Sequence, residues 1–510
     1  LTSPHPRLLA LLFALLLVGA ASARDAFGLY PFSPADFRDA DKLRTACAAP
    51  AAAGFFCADL DQELTRVPTK GVDLLFSEAG EVVAAFAKVQ KGQSLTAYQV
   101  ENRDNLVPYD QGIPAGALLV DGVYHRPADV TSVWARVDPV TLRGSFRYLA
   151  AGLEVEVELL VSDVMQTLAY DVRVRAPEGV EVPRAVQFAV AGIGRQATPT
   201  IKVGQAAAST LNPLTVPVDG ATYVSLQTNN RNTDNAIVLT PGVGVAGPGD
   251  ALQGISLGDR RIAMQVPFDG EAHLTVDLYL GKNELVRFYQ EGYDTLPGLF
   301  SPNILGRMSL WVLIALEFIH TYVNNWALSI IVLTLLFRAL VWPLITTQTR
   351  SMFGMQKLQP EMQKLQKKYK DDREKLTQET MKLYKEAGVN PAGGCLPILL
   401  QMPLFIILWR VFVNFEFNEG FLWIPDLGLP DPWFILPALY VAVMVAMSWF
   451  SARGNPTMLR QSILINVVFV FIMVGFPAGV LLYFVVSMSV QVFQYWLLSR
   501  NQPAPAAAKA

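Results

Sequence analysis

The chain has 510 residues, 52% of them hydrophobic and only 17% charged, which excludes disorder and sits poorly with an ordinary soluble enzyme. Its 41 basic and 44 acidic residues leave a formal net charge of −3, so no whole-chain attraction to nucleic acid exists and no DNA partner is expected. Long uncharged runs crowd into the last 190 or so residues while the stretch before them reads as soluble protein, the pattern of a membrane protein with a large water-exposed domain.

The first apolar run, Leu8 to Ala23, comes after Arg7 and closes on Ala21-Ser22-Ala23. At about 1.5 Å per residue it is short for a bilayer core of roughly 30 Å. Residues 1–23 are therefore expected to be a cleaved signal peptide or an N-terminal signal-anchor helix, and either one exports the domain C-terminal to it. Cys47 and Cys57 fall in the exported part, where a disulfide between them is permitted and two buried thiols are the alternative. Cys395 opens an apolar run with no Cys or His nearby, and no metal site is expected.

Residues 24–300 carry period-two patterning. Leu153, Val155, Val157 and Leu159 alternate with Glu154, Glu156 and Glu158, and Tyr170, Val172 and Val174 alternate with Asp171, Arg173 and Arg175. Such runs are strands with one wet face, and their recurrence between turn clusters predicts an exported antiparallel β-sandwich. Gly242, Gly244 and Gly247 match G-x-G-x-x-G, but Pro248 and Gly249 stand where a phosphate-binding helix should open, so the stretch reads as a loop. None of the four histidines (His5, His125, His273, His320) is followed by Glu, and the Gly281-Lys282 pair is followed by Asn283; neither a zinc-protease motif nor a Walker loop is present. The chain does not read as an enzyme, and no cofactor is expected.

Trp311 to Val323 is apolar apart from Glu317, His320 and Thr321, which with Asn324 share one helical face, and residues 301–324 are expected to form an amphipathic interfacial helix on the outer membrane surface. The core, 325–500, holds apolar stretches at Trp326–Ile345, Cys395–Phe415, Trp433–Phe450 and Gln461–Leu498. The last would be about 57 Å long as one helix, so it splits at Phe476-Pro477-Ala478-Gly479. Five spans result, at about 326–345, 395–415, 433–450, 461–476 and 480–498. The segment 347–392 carries ten basic residues against six acidic, Ser451–Arg460 adds Arg453 and Arg460, and Glu416–Pro432 has four acids with no Lys or Arg. The positive-inside rule then places the basic loops and the 501–510 tail in the cytoplasm and the acidic loop outside. Apolar stripes within 347–392 predict a cytoplasmic hairpin of two antiparallel helices.

Arg338 lies 13 residues into the first span, and none of the five spans contains an Asp or Glu to pair with it. A charge at that depth costs several kcal/mol on insertion scales. Its expected surroundings are a hydrated cavity between helices, with Thr334 one turn earlier on the same face. Gln401, Asn466, Ser487, Ser489, Gln491 and Gln494 are further polar residues within spans, each also readable as a helix-to-helix hydrogen bond. A positively charged half-channel without paired acids suits a temporary host for a polar peptide segment. A small-solute or anion transporter using Arg338 is the alternative, although no inverted repeat is evident. An intramembrane hydrolase is disfavoured by the scarcity of embedded His and acid.

Three motifs, Phe337-Arg338-Ala339-Leu340-Val341-Trp342-Pro343-Leu344, Asn390-Pro391-Ala392-Gly393-Gly394-Cys395-Leu396-Pro397 with Gln401-Met402-Pro403, and Phe476-Pro477-Ala478-Gly479-Val480-Leu481-Leu482-Tyr483, resemble the YidC/Oxa1/Alb3 membrane protein insertases. The exported domain, ending in Tyr279-Leu280-Gly281-Lys282, looks like that of the bacterial YidC branch. The resemblance implies a cofactor-free insertase and chaperone of the bacterial inner membrane that works on nascent membrane proteins, alone or with the SecYEG translocon. It implies a β-supersandwich for the exported domain and ribosome contact through cytoplasmic loops, here Lys357, Lys364, Lys367, Lys368, Arg373, Arg453 and Arg460. It assigns the groove arginine to Arg338, supported by Thr334 and the pair Tyr483-Phe484, and the span residues Gln401 and Asn466 are added to the candidate groove for their polarity. Many relatives have a second tyrosine where this chain has Phe484, and Arg410 departs from the pattern too, reading as an arginine that snorkels outward.

Overall fold

The computed structural model describes residues 26–38, 40–48, 63–88, 105–107, 113–193, 199–204, 209–210, 218–228, 235–242, 252–257, 260–300, 303–370, 372–387, 396–417, 419–451 and 473–500. The chain divides into two compact units. One gathers Ser22–Asn303 with Asn414–Glu416, and the other gathers Ile304–Val413 with Phe417–Ala510.

The first unit is a β-sandwich whose strand pairings are all antiparallel among the described residues. β1 (Tyr30–Phe32), β2 (Leu64–Pro68), β3 (Val72–Phe76) and β4 (Val82–Ala87) form a four-stranded sheet in sequence order. β5 (Ala117–Val120), β6 (Val123–Tyr124), β11 (Ala185–Ala191), β16 (Gln253–Ser256) and β17 (Arg261–Pro267) form a five-stranded sheet. The nine-stranded sheet takes β7 (Ala128–Asp138), β8 (Thr141–Ala150), β9 (Leu153–Ser162), β10 (Thr167–Arg175), β12 (Thr200–Gly204), β13 (Ser209–Thr210), β14 (Tyr223–Gln227), β15 (Asn235–Pro241) and β18 (Glu271–Lys282). The alternation in β9 and β10 sets their register. Val155, Val157 and Leu159 lie opposite Val174, Val172 and Tyr170 on the buried face, and Glu154, Glu156 and Glu158 lie opposite Arg175, Arg173 and Asp171 on the wet one. One contiguous core, with Phe76, Phe146, Tyr170 and Phe188 among its members, joins residues of all three sheets. Helix α1 (Ala40–Cys47) packs Leu43 into a satellite cluster with Phe37, Leu75 and Phe86. Cys57 and the side chain of Cys47 lie outside the described residues. Helix α2 (Leu285–Gln290) closes the unit and buries Arg287.

In the second unit, helix α3 (Ile304–Val323) buries Gly306, Ser309, Leu313 and Leu316 at three- and four-residue spacing. Its opposite face exposes Trp311, Ile314 and Phe318, so α3 is apolar on two sides and long enough to cross a membrane. On its polar face, His320 stacks on Trp326 with ring centroids 4.0 Å apart, and its Nε2 lies 3.5 Å from Glu419 Oε1.

After a corner at Asn324, where φ is 57°, Asn325 caps helix α4 (Trp326–Lys368) by accepting from Leu328 N at 3.0 Å. The first span and the first arm of the hairpin are one uninterrupted helix of 43 residues. Helix α5 (Arg373–Glu386) comes next, capped by Asp372, and the Tyr384 hydroxyl donates to Met362 Sδ at 2.8 Å to join it to α4. Helices α6 (Leu396–Asn414), α7 (Ile435–Ser451) and α8 (Ala478–Arg500) complete the described helices. Within these elements Ile304–Val323, Trp326–Ser351 and Ala478–Arg500 have the length and apolarity of membrane spans, and Gln401–Asn414 and Ile435–Phe450 are shorter apolar helices. The expected span at 461–476 falls largely outside the described residues.

Candidate functional site

The site is built where α4 meets α8. Thr334 and Arg338 sit one turn apart on α4, exposed by only 2% and 6%. Tyr483, Ser487 and Gln494 lie at i, i+4 and i+11 on α8, which places the three polar side chains on one face of that helix. Arg338 Nε donates to Ser487 Oγ at 2.7 Å, and Nη2 donates to the same oxygen. The Tyr483 hydroxyl also engages Ser487, and it accepts from Gln401 Nε2 on α6 at 2.9 Å. One and two turns along α4, Gln494 Nε2 donates to Trp342 O at 3.1 Å and to Thr346 Oγ1 at 2.8 Å. Thr334 satisfies itself by donating to Ile330 O at 2.6 Å.

Three of the expected groove residues, Arg338, Gln401 and Tyr483, thus belong to one connected polar chain, and the link between them is Ser487. In the sequence Ser487 is one polar residue of a span among several. The signal that singles it out is its helical spacing from Tyr483 and Gln494. Thr334 and Tyr483 instead line a cavity of about 70 Å³ whose other walls are apolar, including Leu316, Leu333, Leu408 and Phe412. Phe484 is buried among Phe405, Tyr440 and Tyr483 with ring centroids 5.8, 6.1 and 5.4 Å away, an aromatic cluster in which a phenyl ring packs without a hydroxyl. Asn466, Arg453 and Arg460 lie outside the described residues. Lys357, Lys364, Lys367 and Lys368 on α4 and Arg373 on α5 are all exposed.

The sandwich unit has its own cleft, of about 890 Å³, over the wet face of the nine-stranded sheet. Among its lining side chains Arg147 pairs with Glu156 at 3.0 Å and Arg175 with Glu271 at 3.2 Å, and His273 Nε2 lies 2.9 Å from Asp171 Oδ1.

With that geometry in place, comparison with known proteins is informative. The profile of the family described as "60Kd inner membrane protein" matches residues 318–505, a stretch that holds α4 to α8 and every residue of the Arg338 chain. The membrane protein insertase YidC of Deinococcus radiodurans is 33% identical over 393 residues, which cover 74% of this chain and 87% of that protein. This chain belongs to the YidC membrane protein insertase family. The Haemophilus ducreyi member is 41% identical over 196 residues, 38% of this chain and 36% of its own length. A crystal structure titled as an active YidC insertase with the first transmembrane domain resolved aligns over 98% of this chain and 99% of its own, with a TM-score of 0.53 at 19% identity, a likeness of fold. The chain is thus an inner-membrane YidC-family protein with a β-sandwich unit followed by a helical unit.

Proposed function

We propose that this protein inserts integral membrane proteins and assists their folding, alone or with the Sec translocon, by hosting the polar segment of a client beside Arg338. The carrying observation is a buried guanidinium in an apolar helix whose described contact is a neutral hydroxyl, Ser487. A guanidinium paired with an acid would be neutralised, whereas one held by neutral groups keeps its attraction for an incoming carboxylate or carbonyl. A hydrated groove open to cytoplasm and lipid shortens the apolar barrier for that segment while the adjoining helix of the client partitions into lipid.

In this reading the sandwich unit is periplasmic, residues 301–324 lie at or in the outer membrane interface, the α4–α5 hairpin and the tail are cytoplasmic, and ribosomes delivering nascent chains meet the hairpin's basic residues. The charge pattern of the loops supports that orientation. The test is insertion of a short single-span client with an acidic exported tail into proteoliposomes, comparing wild type with Arg338→Ala and Arg338→Lys. Loss with Ala and substantial retention with Lys supports a groove charge. Wild-type insertion by the Ala variant removes Arg338 from the mechanism.

A further inference from the structure

We propose that Ser487 is the positioning residue of the Arg338 charge: it grips the guanidinium side-on against α8, so that the charge meets a passing acidic or carbonyl-rich segment end-on and at a fixed depth. This inference rests on the insertase reading above and deepens it.

A guanidinium presents five N–H donors in a rigid plane, with a side edge made by Nε and one terminal nitrogen and an end edge made by the two terminal nitrogens. Ser487 Oγ accepts from both members of the side edge, Nε and Nη2. Among the described residues Nη1 has no partner, which leaves the end edge for a ligand. An arginine on three flexible methylenes ordinarily swings its head toward water. Seryl oxygen has one rotatable bond to a helical backbone, and Ser487 is fully buried, so a guanidinium bound to it is tied to the α8 backbone. The serine is itself oriented, because Tyr483 engages it and Gln401 holds Tyr483. Gln494 bonds two groups of α4 farther along and keeps α4 and α8 in register. The Ser487 hydroxyl therefore sets where along the seam the charge stands, and without it the head group is released toward the aqueous end.

The experiment uses full-length protein in proteoliposomes and two single-span clients that differ only in whether the exported tail is acidic or neutral. Ser487→Ala is expected to lower the acidic-to-neutral insertion ratio about tenfold, as befits the loss of a charge-assisted hydrogen bond. Ser487→Thr, which keeps the hydroxyl, is expected to restore most of the ratio. In an Arg338→Ala background, Ser487→Ala is expected to change the ratio no further, since the two residues then act as one unit. An unchanged ratio in Ser487→Ala, or an equal loss with and without Arg338, overturns the positioning role and makes Ser487 a packing residue. Where the Ala variant fails to accumulate, Ser487→Cys, of similar size with a weaker acceptor, carries the same comparison. Wild-type protein that inserts neither client sinks the insertase reading and this proposal together; insertion with an unmoved ratio sinks the proposal alone.

Discussion

The ring of Phe412 on α6 lies directly against the bare Cα of Gly479 in the first turn of α8. A Cβ on residue 479 would fall 2.6 Å from Phe412 Cδ1, inside any tolerated contact. Around this point Ala478 N donates to Leu429 O at 2.7 Å and Gly479 N to Leu427 O at 2.8 Å, so the start of α8 is satisfied by loop carbonyls. Gly479→Ala is expected to destabilise the protein by about 1–3 kcal/mol through overpacking. Thermal unfolding in detergent should show the lower midpoint, with partial recovery when Phe412→Leu is added. A Gly479→Ala midpoint equal to wild type would mean that Phe412 has room to move.

Part of this architecture is open to reading from residues alone. The strands at 153–162 and 167–175 announce themselves because each alternates apolar and charged side chains, and Arg338 stands out because a lone charge in an apolar run has few explanations. The continuity of α4 is hidden. Thr346, Thr347, Thr349 and Ser351 look like the polar end of a span, yet each hydroxyl donates to the carbonyl four residues before it, so the polar run is satisfied inside the helix and does not stop it. Ser487 is hidden for another reason: a neutral polar residue in a span has many partners to choose from, and only the fold brings Arg338 to it from 149 residues away.

The same limit applies to Glu416, which pairs with Arg287 across 129 residues at 2.6 Å. Burial works against the Arg287 charge, and Glu416 and Glu291 together outweigh it, so the guanidinium is held above its ordinary range. Gln290 completes the clasp, donating to Glu416 O at 3.1 Å and accepting from Glu416 N at 2.8 Å. Removing one member of a buried pair leaves the other charged and dry. Arg287→Met is expected to cost about 3–5 kcal/mol, read as a drop in unfolding midpoint. A loss below about 1 kcal/mol would show that water enters and replaces the guanidinium.

Glu81 supplies a pH dependence. Its carboxylate is buried at the end of the β3–β4 turn, where Oε2 accepts from Tyr124 at 3.1 Å and Ser77 at 3.4 Å and Oε1 has no partner among the described residues. Burial pushes its pKa from 4.5 up to about 8, against the opposing hydrogen bonds of Tyr124 and Ser77. The folded-state value lies above the unfolded one, so the folded form binds the proton more tightly. Stability is therefore greatest below pH 4.5 as far as this group is concerned, falls as pH rises toward 8, and levels off above it, for a total of a few kcal/mol. Glu81→Gln should flatten that decline and raise the unfolding midpoint at about pH 8.5, where the wild-type carboxyl is mostly ionised. Parallel midpoint-against-pH curves for the two proteins would place the titration elsewhere.

The exposed basic residues of the α4–α5 hairpin make the last prediction electrostatic. Lys364, Lys367 and Lys368 stand within about two turns on the solvent side of α4, close enough to act as one patch in the ribosome contact proposed above. Replacing all three with Glu is expected to weaken co-sedimentation with ribosome–nascent-chain complexes several-fold near about 0.1 M salt, where charges act over about 10 Å. At about 1 M salt, where that reach shrinks to about 3 Å, wild type and variant should bind alike. The convergence with salt separates a charge effect from a damaged fold, because a hairpin that no longer packs Tyr384 against Met362 would stay defective at every ionic strength.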